Sequence, residues 1–387
     1  MRYIVPYILD DLNKKMVFVG GPRQVGKTTL AKAVLAENYP SGRYLNWDYD
    51  EDRQDILQKR WSDENNLLVF DELHKFPRWK NWIKGIYDVS HDKHSILITG
   101  SARLDIYRRG GDSLMGRYHY WRLHPFTLDE LPEGISAKEA FRRLMTVGGF
   151  PEPFLDGDER SARRWRRERF DRVLREDIRD LESIRNIGLL SVLLDLLRNR
   201  VGGLIVTANL AADLQVSSKT VKSWLEILER MYLIFMVKPF TKSLPRAVLK
   251  PPKIYFFDNC DVLGDEGAIF ENLVAASLLK RLHFLEDRDG YRYELRYIRD
   301  KEGREVDFAI IKEGNLEELI EVKFSDEAIS KALKFYAERL QPKRATQILA
   351  HLIRPYDEGR INVIDAISYF GNMIYHHGQH TPLSSGG

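Results

Sequence analysis

Gly21-Pro22-Arg23-Gln24-Val25-Gly26-Lys27-Thr28, continued by Thr29, stands between a strand-like run at 16–19 and a helical run at 28–36. Glycines at both ends of such a loop let backbone amides turn inward, and the helix that follows adds the positive end of its dipole. That arrangement suits phosphate oxygens. Lys27 is spaced to reach the β- and γ-phosphates and Thr28 to hold Mg²⁺, so the stretch from Gly21 to Thr29 is expected to cradle ATP. The strand before and the helix after are what the G-x-x-x-x-G-K-[ST] pattern requires, and both are present.

Working outward, the region from 15 to 125 alternates short β-rich runs with helical patterns, which predicts a mainly parallel sheet covered by helices. The apolar run 67–70 ends in Asp71 and Glu72. Asp71 is expected to complete the Mg²⁺ shell and Glu72 to polarise the attacking water. The strand 96–99 runs into Gly100-Ser101, placing a hydroxyl at a strand's carboxyl edge, where Ser101 is a candidate sensor of the γ-phosphate. Ser113-Leu114-Met115-Gly116-Arg117 offers one arginine in a glycine-containing loop, suited to transition-state charge from its own or a neighbouring subunit.

The remaining chain divides by pattern. The first unit covers 1–126, a helical lid or linker 127–199, and a winged helix-turn-helix 200–252. A second α/β unit at 253–373 and a short tail at 374–387 follow. Gly148-Gly149-Phe150-Pro151 is the strong break in the lid. Nine arginines between 160 and 179 could neutralise phosphates, but Glu159, Glu168, Asp171, Glu176, Asp177 and Asp180 interleave with them and predict a self-paired, solvated face. In the winged segment a Thr cap is expected at 207 and a Ser cap at 217. Ser217, Ser218, Lys219, Thr220 and Lys222 begin the second helix, where recognition helices meet DNA. In the last unit a helix at 268–282 carries Glu271. A hairpin turning at Gly314-Asn315 joins a strand bearing Asp307 to one bearing Glu321 and Lys323, which share a face because alternate residues do.

The chain has 387 residues, more than one core usually serves. Its 60 Lys and Arg against 57 acids leave a net charge of +3, which by itself selects no partner. Cys260 is the only cysteine, excluding an internal disulfide or a cysteine-based zinc site and fitting a reducing compartment. No signal peptide or membrane-length apolar run is evident, so a soluble cytoplasmic protein is expected.

GPRQVGKTTL, LLVFDELHKFPRWKNWIKGIYD, ILITGSARL, SLMGRY and GGFPEPF, taken in order, resemble the AAA+ class of ATPases. More closely they resemble a prokaryotic ATPase family whose members continue into a nuclease-like domain of unsettled role. That resemblance implies Gly149 and Pro151 near the adenine. The order Glu271, Asp307, Glu321-Val322-Lys323 is similar to the PD-(D/E)xK nuclease fold, although Glu305-Val306-Asp307 lacks the proline. It implies a restriction-endonuclease-like domain in which Glu271, Asp307 and Glu321 hold Mg²⁺ or Mn²⁺ and Lys323 assists catalysis. The expected activity is ATP hydrolysis coupled to work on DNA, by a homo-oligomer. An ATP-driven switch or scaffold that binds a partner without cutting is the alternative, and a small-molecule P-loop kinase is disfavoured by Asp71-Glu72.

Overall fold

The computed structural model describes residues 2–100, 114–173, 187–240, 250–325 and 328–371. Five strands, β1 (Met16–Gly20), β2 (Arg43–Asn46), β3 (Leu67–Asp71), β4 (Ser95–Thr99) and β5 (Tyr118–Arg122), pair in parallel in the order β2-β3-β4-β1-β5. Helices α1 (Val5–Leu12) and α2 (Lys27–Asn38) pack on Val17, Val19, Val69 and Leu97. The opposite face, with Phe18, Leu68, Phe70 and Ile98, is covered by Trp79 and Ile83 of α4 (Trp79–Ser90), with α3 (Asp50–Gln58) beside it. Strands covered on both faces need apolar residues at consecutive positions, and β1 and β3 are buried along their whole length.

Helices α5 (Ala137–Thr146), α6 (Pro151–Asp156), α7 (Glu159–Arg172) and α8 (Ile187–Arg198) follow, then α9 (Thr207–Leu214) and α10 (Ser218–Arg230). Ser217 caps α10 by accepting from the Thr220 amide, as expected. Thr207 does not cap α9: it is the first helical residue, extended Val206 takes the cap position, and no side chain bonds there. The arginine-rich helix also departs from expectation. Arg169 is buried, facing Asp258 and Asp261 and stacking 3.9 Å from the Phe150 ring centre, while Arg163 pairs with Glu159 on the surface. Arg175 and Arg179 lie outside the described residues.

Strands β6 (Ile234–Pro239) and β7 (Lys253–Phe256) form an antiparallel pair, and β6 also pairs in parallel with β8 (Tyr293–Arg299). The hairpin after the two helices is thereby the end of an eight-stranded sheet. Its further strands are β9 (Glu305–Lys312), β10 (Asn315–Lys323), β11 (Arg344–Leu349), β12 (Tyr356–Glu358) and β13 (Ile361–Asp365), in the order β12-β13-β11-β10-β9-β8-β6-β7. The β9–β10 turn comprises Glu313 and Gly314, both at positive φ, the requirement of a type I′ hairpin, so Asn315 already belongs to β10. Helices α12 (Lys331–Leu340) and α13 (Ala366–Gly371) pack on this sheet. One apolar core runs without interruption from Phe126 through α8, α10 and β7 to Phe370.

Helix α11 (Glu266–Asp289) is longer than its amphipathic pattern predicts because its two halves serve different neighbours. Its first half packs in the large core through Phe270, Leu273, Val274 and Leu278, whereas Phe284 belongs to the core of the first sheet. Polar contacts reinforce the second attachment. Arg122, at the end of β5, bonds Asp287 at 2.7 Å, and His124 meets His283 at 2.9 Å. Lys280, fully buried, donates to Glu130 at 2.6 Å and to the Pro125 carbonyl at 3.2 Å. Glu130 also accepts from Arg2 Nε at 2.6 Å, and Arg2 Nη1 reaches the Val25 carbonyl at 2.9 Å.

Burial alone would raise the Glu130 carboxyl, but Arg2 and Lys280 together hold it below its ordinary range. Burial draws the Lys280 ammonium below its ordinary range, with Glu130 and Asp129 opposing. Two donors at 2.6 Å on one carboxylate favour the ionised arrangement. Replacing Glu130 by Leu strands the buried Lys280 cation and takes the carboxylate from part-buried Arg2, and the unfolding free energy should fall by about 3–5 kcal/mol in chemical denaturation at neutral pH. A loss under about 1 kcal/mol would reduce this cluster to the worth of a surface pair.

Candidate functional site

The loop after β1 closes on two backbone devices. Gly21 (φ +142°) faces the Leu123 carbonyl so closely that a Cβ would lie 2.3 Å from its oxygen, and Gly26 adopts φ +97° at the start of α2. Both glycines are therefore demanded by geometry. Gln24 also has positive φ, at 64°. The Lys27 ammonium bonds the carbonyls of Gly21 at 3.1 Å and Pro22 at 2.6 Å, which holds it over the loop.

Asp71 is the hub of the site. It accepts from Thr28 Oγ1 at 2.6 Å, from the Tyr44 hydroxyl at 2.6 Å and from Thr99 Oγ1. Glu72 occupies the left-handed region at φ 57° and ψ 22°, rare for a residue with a side chain, and its amide donates to the Thr99 carbonyl at 3.0 Å. This turn aims Glu72 away from β3 and toward Lys75 at 3.4 Å and His74 at 3.7 Å. Strain of this kind persists where surrounding structure enforces it, commonly at functional sites. Burial raises the Glu72 carboxyl above its ordinary 4.5, with Lys27 and Lys75 opposing.

A cavity of about 900 Å³ opens here, lined among others by Arg23, Lys27, Thr29, Asp71, Glu72 and Pro151. Thr28 and Asp71 present hard oxygens among the lining residues, a donor set that fits Mg²⁺, and Lys27 fits an anion. Pro151, the first residue of α6, thus joins the phosphate loop, while the Gly149 carbonyl accepts from the Phe126 amide at 2.7 Å. Tyr44, Thr99, Lys75 and Arg2 were not legible as site residues. Thr99 had a signal, its position at the carboxyl end of β4, but the others come into contact only through folding.

Arg117 is not at this cavity. Its carbonyl accepts from Met16, at the beginning of β1, whereas the phosphate loop leaves the other end of that strand, about 13 Å away at the usual rise per residue. The Arg117 guanidinium bonds Asp88 at 2.7 Å. Ser101 lies outside the described residues.

In the second sheet, β9 and β10 bring Asp307 and Glu321 to neighbouring strands, with Glu271 on α11 nearby, as the hairpin reading anticipated. The neighbours differ from those expected. Lys253, on β7 and buried, places its ammonium 2.6 Å from Glu305, 3.4 Å from Asp307 and 3.6 Å from Glu271. The other Asp307 oxygen accepts from the Val322 amide at 3.0 Å, and Glu271 accepts from the Tyr255 hydroxyl at 2.6 Å. Glu321 pairs with Lys323 at 3.1 Å through one oxygen, leaving the other buried without a hydrogen-bond partner. Burial and the Asp307 charge raise Glu271 and Glu321 to about 7 each. Among the described residues no group of three or more His, Cys, Asp or Glu side chains is gathered to hold a metal ion. Glu271, Asp307 and Glu321 as they stand do not fit the Mg²⁺ or Mn²⁺ that the nuclease resemblance implies.

Residues 13–132 match the family model described as an AAA domain. Residues 138–260 and 266–368 each match a model described as a domain of unknown function, DUF8612 and DUF4143 respectively. The uncharacterized protein MJ1544 of Methanocaldococcus jannaschii is 26% identical, covering 89% of this chain and 83% of its own. The uncharacterized protein Rv2008c of Mycobacterium tuberculosis is also 26% identical, over 63% of this chain but only 54% of its own. Among solved structures, RuvB variants of Thermotoga maritima overlap at a TM-score of 0.30 and 17% to 19% identity, covering 60% of this chain and 86% to 88% of theirs. Among the described residues no helix is long and apolar enough to cross a membrane.

If Glu72 is the group that polarises water, its proton must be absent for turnover, and a raised pKa moves the acid limb of kcat upward. ATP hydrolysis should begin to fail on acidification at a pH above 4.5, the ordinary glutamate value. Glu72→Gln should retain nucleotide binding and lose turnover by at least about 10²-fold, as measured by phosphate release. Wild-type turnover in Glu72→Gln would remove this residue from the role.

Proposed function

We propose that this chain binds and hydrolyses ATP at the Lys27, Thr28, Asp71 and Glu72 cavity, and that the cycle drives work on DNA. The convergence of those four side chains on one opening carries the reading. Water held by Glu72 attacks the γ-phosphorus in line, the bond to the bridging oxygen breaks, and ADP leaves with that oxygen's charge. Lys27 binds the phosphates. Mg²⁺, when bound, is held by Thr28 and Asp71 and neutralises charge on the phosphate oxygens. Pro151 borders the same cavity, whereas Gly149 packs away from it against Phe126 and Leu144.

Arg117 is remote from its own cavity, which supports action on the nucleotide of a neighbouring copy in a homo-oligomer. A mixture of Arg117→Ala and Lys27→Ala proteins, each inactive alone, should regain part of the ATPase rate, because one junction unites an intact loop with an intact arginine. No recovery in a confirmed oligomer would defeat action in trans.

Ser217, Ser218, Lys219 and Lys222 stand exposed at the start of α10, where a recognition helix meets phosphate and base edges. ATP hydrolysis should rise with added duplex, single-stranded or branched DNA. Affinity should fall by about 0.9 log units per log unit of salt for each phosphate contact. The double change Lys219→Glu, Lys222→Glu should lower both affinity and salt slope. DNA that neither binds nor stimulates would leave the ATP-driven switch acting on a protein partner, a reading supported by the ionic tie between the phosphate loop and α11. A cytoplasmic setting accords with either.

A further inference from the structure

We infer that Lys253 is a built-in cation that keeps divalent metal out of the Glu271, Asp307 and Glu305 cluster. The lysine comes from outside the expected constellation. It belongs to β7, the hairpin strand added beyond β8, and it enters the cluster from the side opposite Lys323 on β10. Its distances of 2.6, 3.4 and 3.6 Å to three carboxylates are those of an ion that serves all three.

Both oxygens of Asp307 are engaged, one by this ammonium and one by the Val322 amide. Glu271 is likewise shared between Lys253 and the Tyr255 hydroxyl. A dication needs oxygens at about 2.0–2.6 Å. To reach them here it would have to sit against the buried ammonium of Lys253, and like charges at that range repel strongly. The ammonium and the metal therefore compete for one place. Lys253 wins by being covalently present, and it stays charged because the three carboxylates outweigh its desolvation. The buried second oxygen of Glu321 is the acceptor through which a rival two-carboxylate cation site, with Asp307, would show itself.

The test uses the full chain without nucleotide and Mn²⁺ alone as probe, with free Mn²⁺ followed by electron paramagnetic resonance. Wild type and Asp307→Asn should bind Mn²⁺ identically, because neither has a metal place in this centre. Lys253→Met should gain about one Mn²⁺ per chain, lost again in Lys253→Met with Asp307→Asn. Mn²⁺ should also raise the Tm of Lys253→Met and leave that of wild type unmoved, since a ligand confined to the native state stabilises it. Where Lys253→Met does not fold, Lys253→Met with Glu305→Gln removes one repelling carboxylate and supplies the same readout. Wild-type Mn²⁺ binding that Asp307→Asn abolishes would overturn the inference, as would a folded Lys253→Met protein that gains no site. The measurement is independent of ATP hydrolysis, so its failure leaves the proposed function standing.

Discussion

A buried carboxylate shared between a buried lysine and a part-buried arginine is the interaction on which the architecture turns. Glu130 bonds Arg2 on one side and Lys280 on the other, and Arg2 in turn holds the Val25 carbonyl inside the phosphate loop. None of these charges could remain in an apolar setting alone, so each element that carries one is obliged to stay where the others are. The chain's second residue, its phosphate loop, the segment after β5 and the middle of α11 are thereby fixed to one another. Apolar packing alone would tolerate sliding between the two cores, whereas directional charged hydrogen bonds do not.

Helix α11 converts that constraint into a connection between two remote sites. Glu271, near its start, faces Lys253 and Tyr255 in the second sheet, while Lys280, His283 and Asp287 grip the end of β5 and the segment that follows it. A helix rises about 1.5 Å per residue, so the 16 positions from Glu271 to Asp287 cover roughly 24 Å as one stiff rod. The hairpin β6–β7, continuous with the eight-stranded sheet, joins the α9–α10 pair to the same body. The helical, two-helix and C-terminal segments consequently share a single core and are not beads on a string.

The two polar centres obey opposite electrostatic logic. At the first, Asp71 collects three neutral donors with Thr28 beside it in the cavity lining, an arrangement open to a metal and to phosphates. At the second, the carboxylates face a resident ammonium, with little left to offer an incoming ion. The difference lies in the partners and not in the acids, which are of the same type in both places.

Much of the first sheet was legible because local rules decide it. Apolar runs in covered parallel strands, Gly21 and Gly26 at positive φ, and a lysine and threonine opening a helix are short-range requirements written in adjacent residues. Asp71 and Glu72 followed from standing at the end of such a run. The Ser217 cap and the β9–β10 hairpin were readable for the same reason. Lys253, Tyr44, Arg2 and the buried Arg169 were not, since each matters through a partner at least 16 residues away in sequence, and a lysine or arginine looks identical in sequence whether it is solvated or buried. Sequence alone determined the phosphate loop, the strand-helix alternation and the carboxylate order. Tertiary structure alone decided which charges are neutralised by which, because electrostatic pairing depends on distance and burial, and these exist only once the chain has folded.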